Sequence, residues 1–109
     1  MASFFRNKVA KEIGVTPVQV LATAPNSRMT IIGLSLANLT TGIVLIDITL
    51  TDDASVTGYY AKQVLVPPNS SLRVVNGGEK LILSTSNSLS ISANVEDAVD
   101  AIISYVELI

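Results

Sequence analysis

The sequence predicts an all-β fold, an antiparallel β-sandwich of about eight short strands in a jelly-roll or immunoglobulin-like arrangement. Two observations support this prediction. Apolar side chains alternate at a period of two in several segments, as they do in strands with one buried face. Turn-forming residues separate these segments at intervals of roughly 8–12 residues, which is typical of sandwiches and small barrels. The 109 residues are expected to form a single domain, residues 1–109.

Most strands are predicted directly from this alternation. In residues 28–36, Ile32, Leu34 and Leu36 are expected on one face, with Ile31 on the other. Residues 43–50 are apolar on both faces over their first half, which indicates either a central position in a sheet or a face covered by a neighbour. The remaining strands are expected at residues 18–23, 57–66, 88–93 and 98–108.

Residues 64–83 carry the clearest turn signals. Pro67 and Pro68 cannot donate hydrogen bonds to a neighbouring strand, so the strand before them must end there. Asn76-Gly77 lies between two apolar runs and is typical of a type I′ turn. We therefore expect the runs on either side of Asn76-Gly77 to pair as a hairpin.

Two segments fit more than one structure. Phe5, Val9 and Ile13 recur with helical spacing, but the same stretch also alternates at a period of two. A strand is favoured, because the segment from Gly14 onward would join it to the next strand as a hairpin or corner. Residues 1–8 are also a candidate N-terminal arm. Residues 96–101 form either a helical turn capped by Asn94 or the approach to the last strand.

The composition indicates association and argues against catalysis. Hydrophobic residues make up 49% of the chain and charged residues only 15%, so we expect part of the surface to be covered in a homo-oligomer. The chain has no His and no Cys, and it carries no activated serine motif or phosphate-binding loop. We therefore expect no enzymatic activity and no cofactor.

The charge and hydropathy patterns bear on partners. A net charge of −2 provides no basic surface for nucleic acid. The longest apolar run is far below the roughly 20 residues that cross a bilayer, and no secretory signal peptide is recognisable. We therefore expect neither a nucleic-acid partner nor a membrane partner.

Acidic residues are the remaining candidates for ion binding. Asp52 and Asp53, with Asp47 on the preceding strand, either collect a Ca²⁺ ion or lie in solvated turns where Asp bonds to its own backbone. The turn is favoured. A second acidic group, at residues 96–100, has the same two interpretations.

Aromatic residues are the candidate interface positions. Phe4 and Phe5 are adjacent near the N-terminus, and Tyr59 and Tyr60 are adjacent within one predicted strand. Successive residues of a strand face opposite ways, so one Tyr of the pair must face outward. Outward aromatic side chains are common at interfaces, but they also occur on solvated sheet faces. For the Phe pair, packing on the domain's own core is the alternative to anchoring a neighbour.

Five segments resemble small virion structural proteins of marine and cyanobacterial tailed bacteriophages. They are FFRN at 4–7, IDITL at 46–50, VPPNSSL at 66–72, NGGEKL at 76–81 and SYVE at 104–107. The resemblance extends over nearly the whole chain, and its features are turns and strand faces.

The resemblance implies a non-enzymatic building block present in many copies. It suggests a capsid decoration (cement) protein that binds as a homotrimer to the major capsid protein, in virions assembled in the host cytoplasm. Neck, collar and tail-fibre attachment proteins use similar sandwiches, and a surface glycan-binding module is a further alternative.

Overall fold

The computed structural model describes residues 2–75 and 79–109, which form β-strands and no helix. None of these residues therefore belongs to a helix that could cross a membrane. The strands are β1 (Ser3–Ile13), β2 (Val18–Ala22), β3 (Arg28–Asn38), β4 (Val44–Thr51), β5 (Thr57–Val66), β6 (Ser71–Val75), β7 (Leu81–Leu83), β8 (Ser88–Ala93) and β9 (Val99–Leu108). The predicted strand at the N-terminus is confirmed as β1.

The strands form two antiparallel sheets. Sheet A has the order β1-β9-β3-β6, with β7 also paired to β3, and sheet B has the order β2-β8-β4-β5. The pairing is nested along the chain, with β1 paired to β9, β2 to β8, β3 to β6 and β7, and β4 to β5. This nesting defines a jelly roll, one of the two arrangements that the sequence predicts.

The predicted hairpin between β6 and β7 is wrong. Both strands pair antiparallel with β3, β6 opposite residues 34–37 and β7 opposite residues 29–31. They therefore run in the same direction as two halves of one strand position, whereas a hairpin requires opposite directions. The long β3 provides both with backbone partners, which a local turn signal cannot reveal. Asn76-Gly77 itself lies outside the described residues.

The core lies between the sheets and is filled by the inward faces of the interior strands. In β4, Val44, Ile46 and Ile48 are completely buried. The strand lies between β8 and β5, so its predicted central position is confirmed. From the opposite sheet, β9 contributes Ile103, which is also fully buried.

A β-bulge in β3 changes the face on which two isoleucines lie. Ile31 pairs with Tyr105 and Gly33 pairs with Ser104, so Ile32 is the extra residue. Ile31 is fully buried, whereas Ile32 is only partly buried. The prediction that Ile32 shares the face of Leu34 is therefore wrong, because the bulge shifts the alternation by one residue.

The last strand begins at Val99 and is preceded by a loop at residues 94–98. The helical alternative for residues 96–101 is wrong, since this segment forms a turn followed by strand. Asn94 instead accepts a hydrogen bond from the backbone N–H of Leu45 at 2.9 Å. The amide side chain thus connects the loop to β4.

Candidate interaction surface

The two aromatic pairs lie at opposite sides of the sandwich. Phe4 and Phe5 are on β1, at one edge of sheet A, and Tyr59 and Tyr60 are on β5, at one edge of sheet B. Across the sandwich β1 contacts β2 and β8, whereas β5 contacts β3. The structure therefore does not bring the four residues into one site. Their interface role remains a prediction.

Phe4 and Phe5 point to opposite faces of sheet A. Phe4 is opposite Glu107 and shares its face with Arg6, the side turned toward sheet B. The Arg6 guanidinium carbon lies 4.9 Å from the centroid of the Phe4 ring, and Arg6 Nε donates to Glu107 Oε1 at 2.8 Å. Phe5 is on the outer face and is 85% exposed. The Arg6 guanidinium therefore holds the Phe4 ring in place, while the Phe5 ring is exposed and can contact a partner.

The tyrosines of β5 show the expected alternation. Tyr59 is 57% exposed, with Lys62 Nζ lying 4.8 Å from its ring centroid, so it is the outward member of the pair. Tyr60 packs against the core. Its burial, together with the negative charge of Glu79, raises the pKa of the Tyr60 hydroxyl above its ordinary value.

The acidic residues of the first candidate ion site bond to backbone amides. Asp47 Oδ1 accepts the N–H of Gln63 at 2.7 Å, and Gln63 has a positive φ of 50° at an irregularity in β5. Asp52 Oδ1 accepts the N–H groups of Ala54 and Val56 at 2.9 and 3.0 Å. The interpretation of Asp52 as a turn residue that bonds to its own backbone is confirmed.

The carboxylates of the second candidate ion site, at residues 96–100, also accept hydrogen bonds from backbone amides. Asp100 Oδ1 accepts the N–H of Glu12 at 2.9 Å, where β1 has a bulge and Glu12 has a φ of 55°. Glu96 Oε1 accepts the N–H of Val15 at 3.0 Å. Within residues 2–75 and 79–109, no three or more carboxylate, imidazole or thiol groups come together to hold a metal ion. These carboxylates accept hydrogen bonds from backbone N–H groups that, because of a bulge or turn, do not bond to a neighbouring strand.

β1 is exposed over most of its length. Every side chain from Ser3 to Val9 is exposed on both faces, although this segment pairs continuously with β9. The strand that could cover it in sheet B, β2, has only five residues. The first half of β1 therefore extends beyond the core as a strand that a single neighbour supports.

The outer face of sheet A is the second exposed surface, and it carries large apolar side chains beside polar ones. Its large side chains are Phe5, Val9, Ile82 and Ile102, which are 85%, 55%, 64% and 50% exposed. Two hollows of about 260 Å³ each lie on this face, and both are lined by Ile32 and Ser104. Small residues, Gly33 and Ser104, make space beside the protruding Ile32.

Comparisons with solved structures find the same fold in structural proteins. A protein of Bacillus endospore appendages, which form disulfide-linked pili, superposes with a TM-score of 0.57 at 10% identity, over 96% of this chain and 86% of that one. A chain of the T13 particle of infectious bursal disease virus gives 0.55 at 11% identity, and one of the Gt strain gives 0.50 at 12%. This chain spans 30% and 32% of those viral chains, and 96% and 97% of its own length is matched. No protein-family model matches the sequence, and no curated protein sequence matches it.

Sequence reasoning missed the apolar outer face. Its signal was present in Ala101-Ile102-Ile103, because strict alternation in a strand must turn the middle residue away from its neighbours. Ala101 and Ile103 are fully buried, and Ile102 is half exposed. The contribution of Ile32 was hidden by the bulge.

Proposed function

We propose that this protein is a non-enzymatic structural subunit of a viral particle, and that it decorates the capsid of a tailed bacteriophage as a cement protein. The observation that carries the proposal is the set of exposed apolar side chains on the outer face of sheet A, on a domain that has a separate buried core. In the single chain, at least half of each side chain is exposed to solvent at Phe5, Val9, Ile82 and Ile102. Docking this face on a shell would remove them from water.

The structural comparisons favour an assembly role. The jelly roll is shared with chains of an icosahedral virus particle and with a protein of bacterial pili. In the proposed role, three copies form a homotrimer that binds neighbouring molecules of the major capsid protein, on virions assembled in the host cytoplasm. Linked contacts would hold the trimer far more strongly than one contact could.

A fibre, neck or collar component is the second candidate. The observation that favours it is the extent of the structural match. This chain covers 86% of the pilus protein, nearly the whole subunit, but only about a third of each viral chain. That pilus is disulfide-linked, whereas this chain has no Cys. A fibre built from this chain would therefore have to be held by non-covalent contacts.

Particles produced without the protein distinguish the two candidates. A cement protein predicts intact shells that break at a lower temperature, because a ligand of the assembled shell stabilises it by mass action. Purified protein added back should restore the breakage temperature. Mass spectrometry of complete particles should find hundreds of copies, whereas a neck or fibre component predicts a handful.

A matched pair of variants tests the docking face. Ile102→Asp places a charge on the outer face of sheet A, while Ile43→Asp places it at a position of similar exposure in the β3–β4 loop, 57% against 50%. The Ile43 variant should rebind to depleted shells as the natural chain does, and the Ile102 variant should not. Equally robust heads that lack tails or fail to adsorb would replace the cement proposal with the neck or fibre candidate.

A further inference from the structure

The hydrogen-bonding groups of β1 alternate between its neighbour and an open edge. Ala2 and Ile109 exchange both backbone hydrogen bonds, each at 2.9 Å, so they form a hydrogen-bonded pair. In an antiparallel ladder such pairs recur at every second residue. Phe4, Arg6 and Lys8 therefore bond to β9, and the backbone groups of Phe5, Asn7 and Val9 point to the other side.

That side is open among the described residues. β9 is the one strand paired with β1 there, so the outward N–H and C=O groups form an unused template for a further strand. Added strands gain affinity from such main-chain bonds and specificity from alternate side chains. The question is which partner strand the side chains of β1 favour.

The positions of the cations oppose pairing of β1 with the edge strands β1, β5 and β6 of another copy, whereas the edge strand β2 carries no charge. Five of the seven Lys and Arg residues lie on the edge strands β1, β5 and β6: Arg6, Lys8, Lys11, Lys62 and Arg73. The interior strands β4 and β9 carry acidic residues instead, Asp47, Asp100 and Glu107. Joining β1 of one copy to β1, β5 or β6 of another would bring two basic edges together.

We propose that β1 binds an extended acidic segment of another protein by strand addition. Arg6 and Lys8 lie on one face of β1, two residues apart, so a partner strand with acidic residues at alternate positions would oppose both. Phe5 and Val9 lie on the other face, which favours apolar residues at the positions opposite them. This inference rests on the proposed function, because a decoration protein binds another protein of the particle.

Arg6 is held in position for such a partner. Its guanidinium is fixed between Glu107 and the Phe4 ring, and its side chain is still 45% exposed. Glu107 lies on β9 and is 16% exposed, so it supports Arg6 from the far side of the open edge. Lys8 is exposed at the next position on the same face.

A labelled peptide tests the proposal on the isolated, full-length chain. The probe is a capped heptapeptide, Thr-Val-Glu-Thr-Glu-Val-Thr, and its control has Lys in place of both Glu residues. Fluorescence anisotropy should show the acidic probe binding at least about tenfold more tightly than the basic one. The preference should weaken as salt rises. Equal affinity for both probes, or no binding of either, overturns the proposal.

Two substitutions of Asn7 locate the binding edge. Asn7→Pro removes an N–H that points away from β9, so the fold should remain while the probe loses about tenfold or more in affinity. Asn7→Ala keeps the N–H and should bind the probe within about twofold of the natural chain. A thermal unfolding curve of Asn7→Pro that matches Asn7→Ala shows that the fold is intact. Unchanged binding by a folded Asn7→Pro chain overturns the assignment to β1.

Lys8→Glu provides a second test that leaves the backbone unchanged. It should abolish most of the preference, because Arg6 still favours the acidic probe while the new carboxylate favours the basic one. An acidic preference that Lys8→Glu leaves unchanged overturns the placement of the probe opposite this position. A second copy of this chain is the competing partner for the β1 edge, and analytical sedimentation tests it. A dimer that Asn7→Pro dissociates would place that copy on the edge and overturn the proposal. These measurements use no virus particles, so their failure is distinct from the failure of the cement function.

Discussion

Replacing Asn38 with Ala should be among the most damaging polar substitutions in this fold. Asn38 ends β3 and is only 4% exposed. Its Nδ2 donates to the backbone oxygens of Gly42, Val66 and Pro67 at 2.9, 3.0 and 3.1 Å, and its Oδ1 accepts from the N–H and Oγ1–H of Thr40, both at 2.8 Å. One amide therefore connects the end of β3 to the next loop and to the end of β5.

The expected cost follows from these bonds. An intramolecular hydrogen bond contributes about 1 kcal/mol net, and a buried acceptor left unpaired costs about 1–3 kcal/mol. Val66 O is bonded in a buried setting, whereas Thr40 and Gly42 can regain water. We expect Asn38→Ala to lower the free energy of unfolding by about 3 kcal/mol. With a urea m-value of about 2 kcal/mol/M, the midpoint would fall by about 1.5 M.

Urea unfolding followed by circular dichroism measures this difference. Asn94→Ala is the matched control, because Asn94 is exposed and its side-chain oxygen accepts a single bond from Leu45 N–H. It should cost about 1 kcal/mol or less. Equal midpoints for the two variants would refute the reasoning that burial and multiple bonding make Asn38 critical.

Two further predictions concern the core and the pH dependence of stability. Ile46→Ala should cost about 2–5 kcal/mol by urea unfolding, because Ile46 is fully buried, while Ile43→Ala at a 57% exposed site should cost less than about 1 kcal/mol. The raised pKa of Tyr60 means that the folded chain holds this proton more tightly than the unfolded chain does. Its stabilising contribution is therefore complete below the ordinary pKa of 10.0 and is lost as pH rises through the raised pKa. Tyr60→Phe should reduce the fall in unfolding free energy above about pH 10, and an unchanged pH profile would contradict this prediction.

Local signals were sufficient for most strand positions. The predicted strands at 57–66 and 88–93 coincide with β5 and β8. Pro67 ends the first, and the turn before Ser88 begins the second. Such residues restrict the backbone where they stand, so their effect does not depend on which strands become neighbours.

Pairing between distant strands was not predictable in the same way. Asn76-Gly77 favours a hairpin locally, yet β6 and β7 both pair with β3, which precedes them by more than thirty residues. The bulge at Ile32 depends on the same pairing, because it is defined by the residues of β9 opposite it. The role of Asn38 could not be predicted for the same reason, since its partners Val66 and Pro67 are distant in sequence.

The candidate surface could be predicted only in part. The alternation of Tyr59 and Tyr60 followed from strand geometry, and the exposed member is Tyr59. Whether Phe4 and Phe5 pack on the core could not be decided from their own sequence, because it depends on how far the opposite sheet extends. The short β2 leaves both exposed, at 42% and 85%.

The two exposed surfaces of sheet A differ in what they can recognise. Apolar contacts on the outer face, centred on Ile102, add affinity wherever a complementary shape is present, but they select weakly among partners. The β1 edge selects its partner more strongly. The backbone groups of Asn7 and its neighbours form directional hydrogen bonds, and Arg6 and Lys8 beside them favour acidic residues. Phe5 belongs to both surfaces, so a partner that covers the face and the edge together would bury this ring most completely. Since the two contacts are fixed on one sheet, the first would raise the effective concentration for the second, and loss of either alone should weaken binding greatly.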